Sequence, residues 1–337
     1  MTRRNPLPLL RSVQEECGGT IPLERFMREA LHHPEFGYYS SNISEVGSRG
    51  DFSTSATLDP NLARAIASWI VERASDSGWG TIPVMECGAG TGELARRILR
   101  ALPWKIRLHE RFVICETSPS LRRAQKKRLR FRGVSWVSSV AEGLQITKGR
   151  ALIYSNELVD AFPCRVFRRE KGEWKELGVR IHEDGSLSET SFGAPLQEEW
   201  FSRLGDLPEG QRVERHDAFR SWLGEWKGLW KEGSMLTIDY GDVSPNLQLG
   251  APSGTLRAYW KHRRITGMET YARFGCQDLT ADVNFTDLIR WGDENGWTTN
   301  WLGSQAEFIN SRCHSASTLG EAAKAFLVLE QSPRPTR

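Results

Sequence analysis

The stretch M-E-C-G-A-G-T-G-E-L, Met85 to Leu94, decides the fold of this chain. A short apolar run at 82–85 precedes it, and apolar residues at helical spacing begin at Leu94. The stretch therefore predicts a buried strand that ends in a turn, with a helix starting directly after the turn. Glycines at such a junction let the backbone approach a ligand, and the free N–H groups of the helix start face the same place. We expect a ligand-binding loop here.

An acidic residue ends the next predicted strand. That strand covers 111–116, and its last residue is Glu116. A carboxylate at this position can accept hydrogen bonds from the two hydroxyls of a ribose. The glycine loop and Glu116 together predict a cofactor that contains a nucleoside. The alternative is that Glu116 only caps the helix that begins near Ser118.

Strand and helix patterns alternate after residue 82, which predicts an α/β fold. Strands separated by single helices indicate a parallel sheet with right-handed crossovers. The regular alternation stops after residue 160, and a hairpin turn is predicted at 170–173. The predicted strands are 82–87, 111–116, 134–137, 150–155, 234–241, 298–302 and 325–329, and the predicted core helices are 92–102, 119–130 and 285–295.

The strand at 150–155 leads into the segment S-N-E-L-V-D-A-F-P at 155–163. Ligands of open α/β sheets bind beyond the carboxyl ends of the strands, so this segment is expected at the same rim as the glycine loop. Glu157 and Asp160 would face one cleft if the segment is helical. Two carboxylates suit the orientation or deprotonation of a cationic nitrogen nucleophile. The alternative is a helix N-cap by Asn156, with acids favoured in the first turn.

Composition excludes several classes of protein. The chain has 337 residues, 39% of them hydrophobic and 26% charged, which is ordinary for a globular protein. No apolar run approaches the roughly 20 residues needed to span a bilayer. The net charge of +3 is too small to indicate a nucleic-acid partner, and the basic run at 122–132 is interpreted as a solvated helix face. The six cysteines show no C-x-x-C spacing, which argues against a metal site or a disulfide framework.

Six separated segments occur in an order that resembles the MidA family, the mitochondrial complex I assembly-factor methyltransferases and their bacterial relatives. The glycine loop also looks like the first motif of class I S-adenosylmethionine-dependent methyltransferases. The resemblance covers about residues 21–330. The segments are F-M-R-E-A-L-H-H-P-E-F-G-Y-Y (26–39), G-D-F-S-T-S (50–55), S-N-E-L-V-D-A-F-P (155–163), I-D-Y-G (238–241), G-T-L-R-A-Y-W-K-H (254–262) and Q-D-L-T (277–280).

The resemblance implies a Rossmann-like class I methyltransferase sheet, mostly parallel, with inserted elements that form a second small lobe. It implies S-adenosylmethionine as the cofactor, a protein as the substrate and an arginine nitrogen as the methyl acceptor. The mitochondrial members of the family are associated with symmetric dimethylation of an arginine in a complex I subunit. A bacterial member is expected in the cytoplasm and a eukaryotic member in the mitochondrion.

The resemblance also implies roles for individual residues. Glycines would let the backbone approach the methionine part of the cofactor, Glu86 would orient the loop or the ligand ammonium, and Glu116 would hold the ribose hydroxyls. Acceptor-side carboxylates would hold the charge of a guanidinium. The expected cofactor contacts are Glu86, Gly88, Ala89, Gly90, Gly92, Glu116, Thr117 and Asn156. The expected catalytic group is Glu157, Asp160 and Asn156, with Asp51 and His262 as secondary candidates at the rim.

Five segments make up the expected organisation of the chain. Residues 1–20 are expected to be a loose lead-in, and 21–80 a helical and loop segment that covers the cofactor site. The Rossmann-like core is expected from 81–160 together with 232–241 and 283–330. Inserted substrate-side elements are expected at 161–231 and 242–282.

Three residues at two places in the chain depart from the family pattern, and both places fall on the expected substrate side. Ala56-Thr57 stand where the family typically has Pro-Glu, and Asp282 stands where it usually has His. A non-catalytic assembly or binding protein that keeps the cofactor pocket is therefore an alternative. A nicotinamide enzyme is disfavoured because the loop lacks the G-x-G-x-x-G spacing. A base methylase is disfavoured because no N-P-P-[YF] motif follows the strand at 150–155.

Overall fold

The computed structural model describes residues 5–41, 60–79, 82–130, 133–313 and 325–335. Its strands are β1 Ile21–Pro22, β2 Ile82–Cys87, β3 Glu110–Cys115, β4 Ser135–Val137, β5 Leu152–Asn156, β6 Arg165–Glu170, β7 Glu173–Ile181, β8 Leu187–Leu196, β9 Arg212–Arg215, β10 Met235–Asp242, β11 Arg257–Trp260, β12 Arg263–Ile265, β13 Asp278–Thr280, β14 Val283–Asn284, β15 Trp297–Ser304 and β16 Phe326–Pro333. Its α-helices are α1 Leu7–Glu16, α2 Leu23–His32, α3 Tyr38–Ser41, α4 Pro60–Ser77, α5 Glu93–Ala101, α6 Trp104–His109, α7 Pro119–Leu129, α8 Val140–Ile146, α9 Glu199–Ser202, α10 Asp217–Trp226, α11 Asn246–Gly250, α12 Phe285–Glu294 and α13 Gln305–Cys313.

The central sheet has the strand order β15-β16-β10-β5-β2-β3-β4. Strands β10, β5, β2, β3 and β4 are parallel to one another, while β16 lies antiparallel between β10 and β15. On β2 the adjacent residues Val84 and Met85 are both fully buried, and they belong to the cores on opposite faces of the sheet. A strand covered on both faces reads as a continuous apolar run, as residues 82–85 do. The predicted α/β class with a mostly parallel sheet is confirmed.

The strand order reverses beside β2. From β2 the chain proceeds outward through β3 to β4, and then returns to place β5 on the other side of β2. At such a reversal the two connections leave in opposite directions, and a crevice opens beyond the carboxyl ends of the strands. The topology therefore locates the ligand site at the ends of β2, β3 and β5.

Helices cover both faces of the central sheet. The core on one face includes Trp69 of α4, Ile98 of α5 and Phe308 of α13. The core on the other face includes Leu144 of α8 and Trp226 of α10, together with the apolar side of α12. Each of these helices buries one apolar stripe and leaves its opposite side to solvent, as amphipathic helices do. None of the helices within the described ranges is long and apolar enough to cross a membrane.

Two smaller sheets accompany the central sheet, and all their strands except the N-terminal β1 are inserted between its strands. Strands β1, β6, β7, β8 and β9 form the first, and β11, β12 and β13 form the second. The hairpin predicted at 170–173 joins β6 to β7, with Lys171 at φ 55° and Gly172 at φ 79°. Positive φ at both loop residues is the geometry that matches the twist of the paired strands. The inserted elements form the second small lobe expected from the sequence.

The N-terminus differs from the sequence prediction. A loose lead-in was expected at 1–20, but α1 forms there and buries Leu10 and Val13. The Gln14 side chain ties α1 to β7, because Oε1 accepts the Ile181 N–H at 2.6 Å and Nε2 donates to the Ile181 carbonyl at 3.1 Å. The helix is stabilised by a strand far along the chain, so its own short apolar pattern gave little signal.

Three core helices, α6, α8 and α13, were also not predicted. Helix α6 has six residues and α8 has seven, which is too few for a 3.6-residue period to be recognised. Helix α8 begins after Ser139, whose hydroxyl accepts the Glu142 N–H at 3.2 Å. The N-cap residue Ser139 identifies the start of α8 only after the neighbouring strands have been located.

Candidate cofactor and acceptor site

A cavity of about 470 Å³ lies at the carboxyl ends of β2, β3 and β5, where the sheet topology puts the crevice. The segments that follow these three strands form much of its wall, and α2, α3 and α10 contribute the rest. The sequence-predicted cofactor residues that line it are Glu86, Gly88, Ala89, Gly90, Glu116, Thr117 and Asn156.

The turn after β2 requires glycine. Gly88 and Gly90 have φ values of 69° and 51°, in the left-handed region that other residues avoid. A Cβ added to Gly88 would lie 2.7 Å from Leu158 Cδ1, while one added to Gly90 would meet nothing within 4 Å. Gly92 has φ 76° and forms the N-cap of α5. It shapes the loop but is not among the residues that line the cavity.

Glu86 lines the cavity with a buried carboxylate. The residue is 3% exposed, and the Tyr154 hydroxyl interacts with its carboxylate. Burial raises the pKa of Glu86 to about 8, Tyr154 opposes the increase, and the nearby Glu116 adds to it. A cationic ligand group beside a buried carboxylate stabilises its ionised form. The amine of an amino-acid moiety fits this position.

Glu116 is fixed in place by α7 and also lines the cavity. Its Oε1 accepts the Ser118 N–H at 2.8 Å, and its Oε2 accepts Gln125 Nε2 at 2.9 Å. Each carboxylate oxygen has a second lone pair, so both can still accept a ribose hydroxyl. The two predicted roles of Glu116, ribose binding and helix capping, are therefore compatible. The same carboxylate accepts hydrogen bonds at the start of α7 and faces the cavity.

Gln125 is a functional residue that the sequence reasoning missed. It is fully buried, and its Nε2 bridges the Gly90 carbonyl at 2.8 Å and Glu116 Oε2. The side chain therefore connects the glycine loop to Glu116. A signal existed in the sequence, because Gln125 replaces an apolar residue between Leu121 and Leu129 on the buried stripe of α7.

On the acceptor side, Glu157 lines the cavity directly after β5. Its Oε2 accepts the Tyr240 hydroxyl at 2.8 Å, and its Oε1 accepts Asn156 Nδ2 at 2.9 Å. Glu157 has φ 53°, although it is not glycine. A bulky residue in this region is strained, and such strain concentrates at functional sites.

Asp160 is not brought to the cavity wall. The segment after Glu157 forms a tight turn instead of the expected helix, and Asp160 turns toward β13. Its Oδ2 accepts the Thr280 hydroxyl at 2.7 Å, and its Oδ1 is buried without a described donor. Burial raises the pKa of Asp160 to about 7, with the Glu157 carboxylate contributing. The expectation that both acids face one cleft is wrong at Asp160.

The N-terminal segment contributes three cavity residues that the sequence reasoning did not select: Arg28, His32 and Tyr39. The rings of His32 and Tyr39 stack with their centroids 5.6 Å apart. The Tyr39 hydroxyl donates to Asp278 Oδ1 at 2.8 Å, and its carbonyl accepts the Ser118 hydroxyl at 3.1 Å. Tyr39 thus touches both the ribose side and the inserted β13. These contacts join segments too distant in the chain to be paired from sequence alone.

Of the remaining predicted positions, only His262 and Asp282 lie within the described residues. Asp51 and the departures at 56–57 lie outside the described residues. His262 lies in the exposed turn between β11 and β12 and is not among the residues that line the cavity. Asp282, the other departure from the family pattern, forms an ion pair with the buried Arg257. The unusual residue is therefore used to neutralise a buried cation.

A protein-family model described as "Putative S-adenosyl-L-methionine-dependent methyltransferase" matches residues 65–303. The chain belongs to this family. The protein is accordingly an S-adenosylmethionine-dependent methyltransferase of the α/β class, and the glycine loop, Glu86 and Glu116 suit that cofactor. Its nucleoside and its amino-acid amine are the two groups that these residues can satisfy.

Known proteins extend this assignment. The chain is 27% identical to the Drosophila melanogaster mitochondrial protein arginine methyltransferase NDUFAF7 homolog, over 81% of this chain and 66% of that protein. It is 26% identical to the Caenorhabditis elegans counterpart, over 79% of this chain and 67% of that protein. The chain thus spans about two thirds of the length of these relatives. A crystal structure from Burkholderia thailandensis with S-adenosylhomocysteine bound is 27% identical, with a TM-score of 0.82 over 97% of this chain and 91% of that one.

Proposed function

We propose that this protein transfers a methyl group from S-adenosylmethionine to an arginine side chain of a protein substrate. The observation that carries the proposal is the Glu157 carboxylate, which lines the cofactor cavity and is held there by Tyr240 and Asn156. The names of the NDUFAF7 relatives support arginine as the acceptor. For this chain, three points are proposals. They are arginine as the methyl acceptor, a protein as the substrate, and any part in complex I assembly.

The cofactor, when bound, supplies a methyl group that its sulfonium already activates. The protein then has mainly to bind and align the reacting groups. Glu86 would hold the amine, Glu116 would hold the ribose hydroxyls, and the glycine turn would let the backbone approach. The residues after β5 would place the acceptor beside the same cavity.

Glu157 suits the binding of a guanidinium. Its two carboxylate oxygens accept hydrogen bonds from Tyr240 and Asn156, and an ionised carboxylate has about four acceptor positions in all. Two parallel N–H groups of an arginine match this pair of acceptors and form charge-assisted bonds. Burial raises the pKa of Tyr240 well above its ordinary value, so its hydroxyl remains a donor to Glu157 at neutral pH.

The alternative function is a non-catalytic assembly or binding protein that keeps the cofactor pocket. The ion pair between Asp282 and Arg257 favours this alternative, because Asp282 is a departure from the family pattern on the expected substrate side. As for compartment, the curated relatives are named as mitochondrial proteins. We retain the prediction that this chain acts in the cytoplasm if its source is a bacterium.

Transfer of a labelled methyl group separates the two functions. The protein is incubated with methyl-labelled S-adenosylmethionine and an extract of its source cells, and labelled proteins are searched for methylarginine by mass spectrometry. We expect methylarginine with wild type and at least a roughly 100-fold lower rate with Glu157→Gln. Binding of S-adenosylhomocysteine without any transfer would support the binding protein instead, and label on another amino acid would reject arginine.

Glu189→Gln is a matched control. Glu189 is also a partly buried glutamate that accepts a tyrosine hydroxyl, since its Oε2 accepts the Tyr271 O–H at 2.6 Å. It lies on β8 and is not among the residues that line the cavity. The control is expected to lose some stability and to keep its transfer rate. An equal loss of rate in both variants would assign the Glu157 effect to general destabilisation.

A further inference from the structure

We propose that Asp239 is a positioning residue for methyl transfer, and that it acts by holding Glu157 toward the cofactor cavity. This inference rests on the proposed role of Glu157. Asp239 lies near the end of β10, fully buried, and is not among the residues that line the cavity. Its effect on the reaction must therefore pass through other residues.

The Asp239 carboxylate caps the turn that follows Glu157. Its Oδ2 accepts three successive backbone N–H groups, from Leu158 at 3.1 Å, Val159 at 2.8 Å and Asp160 at 3.3 Å. Its Oδ1 accepts the Tyr240 N–H at 2.9 Å. Both oxygens are used as acceptors, and the turn is fixed by a strand that lies about 80 positions further along the chain.

Three consecutive residues of β10 hold Glu157 at different points. The Ile238 carbonyl accepts the Glu157 N–H at 2.9 Å, Asp239 fixes the turn after it, and the Tyr240 hydroxyl reaches its carboxylate. A non-glycine residue at positive φ persists only where its surroundings determine the backbone. The three contacts provide that constraint, because they fix residue 157 from its N-terminal side, its C-terminal side and its side chain.

An asparagine cannot replace Asp239 without loss. One carboxamide has a single acceptor oxygen, whereas the native side chain accepts on both oxygens. In either orientation the NH₂ group of the amide faces a backbone N–H, and a donor faces a donor. The substitution Asp239→Asn is therefore expected to loosen the turn while it preserves the size of the side chain.

The first measurement is structural. The crystal structure of Asp239→Asn with S-adenosylhomocysteine is expected to show residue 157 outside the left-handed region, with its contact to Tyr240 lost. Calorimetry is expected to show S-adenosylhomocysteine bound within about threefold of the wild-type affinity, because Glu86 and Glu116 belong to other strands. An unchanged Glu157 conformation in the variant would overturn the proposal.

The second measurement is kinetic, with methyl-labelled S-adenosylmethionine and the cell extract. A displaced Glu157 would align the methyl acceptor poorly. We therefore expect kcat to fall by roughly 10- to 100-fold, with the KM for the cofactor nearly unchanged. The double variant Asp239→Asn with Glu157→Gln is expected to be no slower than Glu157→Gln alone, because both changes remove one function. Additive losses, or a parallel loss of cofactor affinity, would make Asp239 a general structural residue and overturn the proposal.

Asp287→Asn is the matched control. Asp287 is another buried aspartate whose two oxygens both accept hydrogen bonds, from Trp200 Nε1 at 2.9 and 3.0 Å, and it lies on α12 away from the cavity wall. It should lose stability and keep kcat. If Asp239→Asn does not fold, Asp239→Ser tests the same contact with a smaller acceptor, and failure of both to fold would overturn the positioning role. Absence of methyl transfer by wild type would refute the proposed function, while the crystallographic comparison would still decide whether Asp239 holds Glu157.

Discussion

The two sides of the cavity are built in different ways. The cofactor side consists of two successive strand-to-helix turns, and its acids and glycines lie between Glu86 and Glu116. The acceptor side depends on Glu157, whose position is held by Tyr240 and Asp239 from a distant strand. The comparison teaches that a local turn can specify cofactor binding, whereas placement of the acceptor group requires the whole sheet to be assembled. The two sides should therefore respond differently to substitution.

The largest expected effect on the cofactor side comes from Gly88→Ala. The change adds left-handed strain of about 1–3 kcal/mol and places a Cβ 2.7 Å from Leu158 Cδ1. We expect the Kd for S-adenosylhomocysteine to rise roughly 10- to 100-fold, as measured by calorimetry. Gly205→Ala is the control, because Gly205 has φ 79° with nothing within 4 Å of an added Cβ. It should lose stability but leave cofactor affinity unaltered.

A somewhat smaller effect is expected for Glu116→Ala. The variant loses two acceptors for ribose hydroxyls, and at about 0.5–1.5 kcal/mol net for each hydrogen bond the two together contribute about 1–3 kcal/mol. We expect the affinity for S-adenosylmethionine to fall roughly 10- to 50-fold in calorimetry, a range that corresponds to about 1.4–2.3 kcal/mol. Glu142→Ala removes an exposed acid outside the cavity and serves as control. Unchanged tight binding by Glu116→Ala would reject the ribose role and the division of the cavity described above.

The smallest expected effect is a proton released on cofactor binding. Burial raises the pKa of free Glu86 to about 8, so at pH 7 the unliganded side chain is mainly protonated. A cationic amine beside its carboxylate favours the ionised form and lowers that pKa. Calorimetry at pH 7 in two buffers of different ionisation enthalpy should detect release of up to about one proton with S-adenosylhomocysteine. The release should disappear at pH 9 and in Glu86→Gln, and its persistence in that variant would assign the proton to another group.

The raised pKa of Glu86 also predicts the direction in which the stability of the folded protein changes with pH. The unfolded chain loses the Glu86 proton near its ordinary pKa of 4.5, while the folded chain keeps it until about pH 8. Between these values the folded state binds more protons, so the stability of the unliganded protein falls as the pH rises. Thermal unfolding of wild type and Glu86→Gln across this interval should converge at low pH, and Glu86→Gln should be the more stable at pH 8.

Sequence reasoning was most successful where the signal was local. The turn at 86–92 and the acid Glu116 belong to adjacent elements, and Glu86, Gly88, Gly90 and Glu116 line one cavity, while their contacts with the cofactor stay a prediction. It was less successful at Asp160, whose i, i+3 spacing from Glu157 predicted a shared cleft only if the segment was helical. The Asp239 carboxylate binds the backbone N–H groups of that segment and makes it a tight turn. An interaction across about 80 positions thus overrode the local pattern.

The sequence by itself determined the α/β class, the glycine turn after β2 and the acid after β3, because strand burial and turn geometry depend on neighbouring residues. Only the tertiary structure decided which strand lies beside β5. That pairing places Tyr240 against Glu157, and a separate long-range contact joins the Tyr39 hydroxyl to Asp278. The physical reason is that pairing between distant strands depends on how all elements together bury both faces of the sheet, which no local stretch of sequence encodes.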